Sequence, residues 1–137
     1  MAEAEGIPPT ASTVVPGLSL NYIGEHVFAY AGTQAVSSGV VTALSFTTGN
    51  NYLLVDVEIS FDITGLGTGE DIGYQIKLNG NEVVDHDLGS NIGNPQWILL
   101  PTKLLLPPFT FFEGILSTSD ASDINMGMTL TGRVYDA

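Results

Sequence analysis

The sequence has no cysteine, only three basic residues among 137, and no apolar run that approaches the roughly 20 residues of a membrane-spanning helix. Without cysteine there are no disulfides, thiolate metal centres or cysteine nucleophiles, although the cellular compartment stays open. Lys77, Lys103 and Arg133 are scattered, and the formal net charge is −12. A nucleic-acid groove or an anionic membrane surface needs clustered Lys and Arg, so neither is an expected partner. Residues 1–6 carry no basic residue and no apolar centre, and do not read as a secretory signal. Nucleophile-elbow, P-loop and dinucleotide signatures are also missing. The glycines at 65, 67 and 69 lack the following helix that gives such loops their phosphate-binding dipole, and read as a loose connection. The chain is not expected to be an enzyme or to require a cofactor.

What is present is alternation. From 52 to 63, Leu53, Val55, Val57, Ile59, Phe61 and Ile63 share one face, and Leu54, Asp56, Glu58, Ser60 and Asp62 share the other. This is the period of a half-buried strand. Strands are also predicted at 25–32, 40–47, 71–78, 81–88, 96–106, 109–117 and 126–134, separated by turn signals. The segment 32–39 joins the first two of these. Asn79-Gly80 is the preferred pair for a two-residue type I′ hairpin, because both positions require positive φ. That hairpin sets Lys77 opposite Glu82 and Ile76 opposite Val83. Pro107-Pro108 must lie at a corner or edge, since neither residue can donate to a ladder.

These elements predict an all-β domain over 18–137, a two-sheet antiparallel sandwich of the jelly-roll type with about eight strands. An immunoglobulin-like sandwich is the structural rival, but its Cys, Trp, Cys spacing is missing. Residues 1–17 hold three prolines and small polar residues without period, and read as an extended or flexible N-terminal arm. A hydrophobic share of 44% with 13% charged residues is more apolar surface than a small domain readily hides, so an oligomer is expected. Ile7, Pro8, Pro9, Val14 and Val15 of the arm, with Tyr22, Trp97 and Tyr135 of the domain, are the candidate interface residues.

Few groups suit chemistry. Asp85-His86-Asp87 is dense in metal-ligand types, yet on a strand His86 points away from both carboxylates. Alternation from Val83 would bury Asp85 and Asp87, which is costly, so the strand is expected to bulge or leave the core near Val84. His26 reads as a core or interface residue. Calcium suits the chain better than zinc, with oxygen ligands in Asp56, Glu58, Asp62, Glu70, Asp71, Asp120 and Asp123, but no loop has EF-hand spacing. Tyr22, Tyr30, Tyr52, Tyr135 and Trp97 could stack on sugar rings, or serve as packing.

The stretch Ser19-Leu20-Asn21-Tyr22-Ile23-Gly24-Glu25-His26-Val27-Phe28-Ala29-Tyr30 and the closing Leu130-Thr131-Gly132-Arg133-Val134-Tyr135-Asp136 resemble segments of small jelly-roll virion proteins of tailed phages, in particular capsid decoration (cement) proteins. The segment from Met126 to Asp136 is also similar in pattern to the closing strand of the complement C1q and tumour necrosis factor jelly rolls, which assemble as trimers. This chain lacks their collagen stalk. The resemblance implies a virion-located decoration or minor capsid protein that binds itself, as a homotrimer, together with the major capsid protein or other virion proteins. The competing expectation is a carbohydrate-binding sandwich module or spike tip, assisted by calcium.

Overall fold

The computed structural model describes residues 20–89 and 97–135, with the backbone alone for 97–100. Nine strands follow in order: β1 (Asn21–Ile23), β2 (His26–Val36), β3 (Gly39–Thr47), β4 (Tyr52–Asp62), β5 (Asp71–Leu78), β6 (Asn81–Gly89), β7 (Trp97–Leu106), β8 (Phe111–Thr118) and β9 (Ile124–Tyr135). No helix occurs among the described residues. The first sheet has the order β1-β2-β9-β4-β7 and the second the order β3-β8-β5-β6, with every pairing antiparallel.

The pairing follows one rule. Starting from the β5–β6 hairpin, the chain pairs outward as β4 with β7, β3 with β8 and β2 with β9, which describes a single long hairpin. The hairpin is then rolled so that β9 also pairs with β4 and β8 with β5. This is the double Greek key of a jelly roll, and the expected sandwich is the one found.

The core lies between the inner faces. All six alternating apolar residues from Leu53 to Ile63 are buried, as are Met126, Met128 and Leu130 of β9. Facing them in the second sheet are Leu44, Phe46, Ile72, Ile76, Phe112 and Leu116. Phe46 and Phe112 stack with ring centroids 4.7 Å apart. Tyr74 is buried, and its hydroxyl shares a 3.0 Å hydrogen bond with Thr102 Oγ1 of the other sheet, which satisfies its polar end. Between the sheets, the Met128 thioether fills the space a side chain at position 114 would take.

Three expectations from the sequence change. The predicted break at Gly32 is a bulge: β2 carries one extra residue against Met126–Met128 of β9, and the strand runs on to Val36. Glycine in a strand interior marks such irregularities as readily as it marks ends. In the β5–β6 hairpin Lys77 does face Glu82, but Ile76 faces Val84, not Val83, because Val83 is the extra residue of a second bulge. That bulge, expected near Val84, turns Asp85 and Asp87 outward. Finally, the strand predicted to begin at Phe109 begins at Phe111, after a corner.

The corner is built by one side chain. Thr48 is buried, its hydroxyl donates to the Pro107 carbonyl (2.8 Å) and accepts from the Thr110 amide (2.8 Å), and its own amide donates to the Thr110 carbonyl (2.9 Å). Thr48 thus supplies partners that the proline pair cannot give to a ladder.

Candidate functional site

Because alternate turns fall at opposite ends of a jelly roll, the loops divide into two groups of unlike chemistry. One end holds the β2–β3, β4–β5 and β8–β9 connections, with Asp62, Glu70, Asp71, Asp120 and Asp123 in or beside them. No lysine or arginine lies there among the described residues.

Asp120 organises this acidic end. It is buried, its Oδ2 accepts from the Gly67 amide (2.7 Å) and its Oδ1 from the Ser122 amide (2.8 Å), and its carbonyl accepts from the Ser38 amide (2.7 Å). All three connections are therefore tied through one residue, and the 65–69 segment expected to be loose is pinned at its centre. The Gly67 amide, then that of Ser122, holds the Asp120 carboxyl below its ordinary value, because each bond favours the charged form. Ser119 joins Glu70 (2.6 Å) to the Asp71 amide (2.9 Å) in the same cluster.

The seven oxygen ligands proposed for calcium separate. Asp56 and Glu58 lie on the outer face of the first sheet, far from the loop carboxylates, and Asp56 pairs with Lys103 at 3.1 Å. Among the described residues, no three His, Asp or Glu side chains converge into a metal-binding group.

The other end carries the β1–β2, β3–β4, β5–β6 and β7–β8 turns. Glu25 in the first of these pairs with Arg133 at 2.9 Å. The remaining three, 48–51, 79–80 and 107–110, contain no ionisable side chain. They are laced together: the Phe109 amide donates to the Gly49 carbonyl (2.8 Å), and Asn79 exchanges bonds with Phe111, donating from its amide (2.8 Å) and accepting at Oδ1 (2.9 Å). Phe109 holds φ at +54° and is 71% exposed. Exposed Phe111, Tyr52 and Tyr135 surround this end, the two tyrosines paired across β4 and β9.

The predicted interface residues fall in different places. Ile7, Pro8, Pro9, Val14 and Val15 lie outside the described residues. Tyr135 is exposed at the aromatic end. Tyr22 sits opposite inward-facing Val27 at the sheet edge, and burial pushes its phenol above the ordinary value. The backbone of Trp97 faces Asp62 at the far end of β7. Tyr30 faces Thr129, six residues along β9 from Tyr135, or about 20 Å. The tyrosines therefore form no single platform for a sugar chain. His26 is exposed on the outer face opposite Arg133, so it is not a core residue. His86 stacks on Tyr74 with centroids 5.6 Å apart, turned away from Asp85 and Asp87 as alternation required.

Sequence reasoning missed Phe109 and Thr48. A bulky residue after two prolines gives no local sign of positive φ, and Thr48 acts on residues 59 positions away.

The fold is a jelly roll, and comparison with solved structures agrees. The chain is similar to VP2 of infectious bursal disease virus in its subviral particle, with a TM-score of 0.53 and 18% identity over 80% of this chain and 32% of VP2. A chain of the T13 particle of the same virus gives 0.50 and 17%, over 83% of this chain and 32% of that one. The Gx strain structure gives 0.53 and 18%, over 78% and 31%. The chain thus spans about a third of the length of these proteins. No protein-family model and no curated protein sequence matches it.

Proposed function

We propose that this protein is a virion structural component, a capsid decoration (cement) or minor capsid protein that binds and stabilises the shell as an oligomer. The observation that carries this reading is the shared jelly roll: four-fifths of the chain superposes on a protein of a viral particle. Further support comes from the design of the domain. Its turns are tied by backbone bonds at both ends, and its surface carries apolar and acidic patches. The role is mechanical, without a catalytic step or a required cofactor. Three-fold assembly follows from the closing-strand resemblance, and the partners are other copies and the major capsid protein.

The arm supplies the test. Residues 1–15 cannot build a core, so their deletion is expected to leave the melting midpoint of the domain nearly unchanged while weakening attachment to emptied particles of the parent virus. Co-sedimentation at rising salt reads the attachment. Equal occupancy and salt resistance with and without the arm would remove its assembly role, and no binding by either form would remove the decoration reading.

A further inference from the structure

We infer that the aromatic end, whose turns 48–51, 79–80 and 107–110 hold no ionisable side chain, is a self-association surface, and that its occupant is a second copy of this chain. This rests on the assembly reading above and names the surface involved.

Charge decides where two copies can meet. Each carries a net −12, so any contact that opposes carboxylates is resisted. Among the described residues, the acidic end presents Asp62, Glu70, Asp71 and Asp123 to solvent without a cation. The outer face of the second sheet sets Glu82, Asp85, Asp87 and Glu113 against Lys77 alone. The aromatic end has three turns without an ionisable group, and in the fourth Glu25 is neutralised by Arg133. It is the described end on which a like-charged molecule can settle without burying an unpaired charge.

Phe109 shows that this end is built for contact. A phenylalanine at positive φ is held against its own backbone preference, and at 71% exposure the ring gains little from the core. Yet its position is fixed by the Gly49 carbonyl on one side and by the Thr48 clamp on Thr110 and Pro107 on the other. Strain retained at a rigid, solvent-facing aromatic points to an interaction outside the subunit. Rigid aromatics in such positions are what protein interfaces use as anchors. Phe111, Tyr52 and Tyr135 extend the apolar surface around it.

Sedimentation equilibrium of the full chain from 1 to 300 μM tests this. The expected result is reversible association, strengthened by salt because screening relieves the overall repulsion. Phe109→Gly removes the ring and also relieves the positive φ, so it is expected to melt at the parental temperature or above while weakening association at least ten-fold. Val40→Ser, at an exposed apolar site beside the β2–β3 connection of the acidic end, is expected to leave association unchanged. A monomeric mass throughout the range overturns the inference, as does a Phe109→Gly protein that melts normally and associates as the parent does. Association lost in Phe109→Gly while particle binding persists upholds it. Association through Phe109 in a protein that binds no particle also upholds it, and overturns the decoration reading alone.

Discussion

At the scale of single residues, the fold depends on positions whose roles are invisible to composition. Asp120 is one of fifteen acidic residues, yet its carboxylate closes the acidic end by accepting two backbone amides. Its folded-state pKa is lowered, so its contribution is complete above the ordinary carboxylate range near about 4 and is lost as pH falls through the lowered value. Asp120→Asn is expected to melt earlier than the parent at neutral pH, with the gap narrowing below about pH 4 in a thermal series. Gly132 acts by close approach. A Cβ there would meet the Leu54 carbonyl and the Val55 backbone of β4, neither of which can swing aside. Gly132→Ala should therefore force β9 from β4 and cost about 1–3 kcal/mol by urea denaturation, the range for overpacking a closed site. Nothing in the sequence separates Gly132 from the fifteen other glycines, because the colliding atoms belong to a strand some 80 residues earlier.

At the scale of elements, local signals were legible and irregularities were not. The 52–62 strand could be read because period two shows directly which face is buried. The Asn79-Gly80 turn could be read because it needs two positive φ angles, and it has them, +54° and +83°. Gly80→Val is expected to strain this turn and lower stability by about 1 kcal/mol or more, measured as a shift of the denaturation midpoint. β1 escaped notice because three residues are too short to show a period, and its pairing with β2 crosses only Gly24 and Glu25. The bulge in the β5–β6 hairpin was half visible. Two aspartates on the inward register of β6 signalled an error of phase, but only the pairing shows that Val83 absorbs it. The Val83 bulge thus keeps Asp85 and Asp87 in water while Val84 still meets Ile76.

At the scale of the whole molecule, fold class followed from the spacing of strands, whereas the character of the two ends did not. Loops that share an end are remote in sequence: 48–51, 79–80 and 107–110 gather only once the long hairpin is rolled. The separation of acidic from uncharged turns is therefore a property of topology, which is why the predicted surface residues, chosen one by one, did not include the aromatic anchor. Trp97 and Tyr135 were singled out as large and apolar, and lie toward opposite ends of the first sheet.

The rolled hairpin also sets an order in time. β9 is the last of the described strands, yet it lies between β2 and β4 and is hydrogen-bonded to both. While the chain is being synthesised, β2 and β4 have no partner along their β9-facing edges, and most contacts of the first sheet wait for residues 124–135. Non-local pairing of this kind makes folding slow and leaves strand edges open in the interval. The β5–β6 hairpin, closed by a two-residue loop, can form as soon as it emerges, and the strands that follow pair with earlier ones. The first sheet is complete only once β9 has joined β2 and β4, so the sandwich closes late in folding.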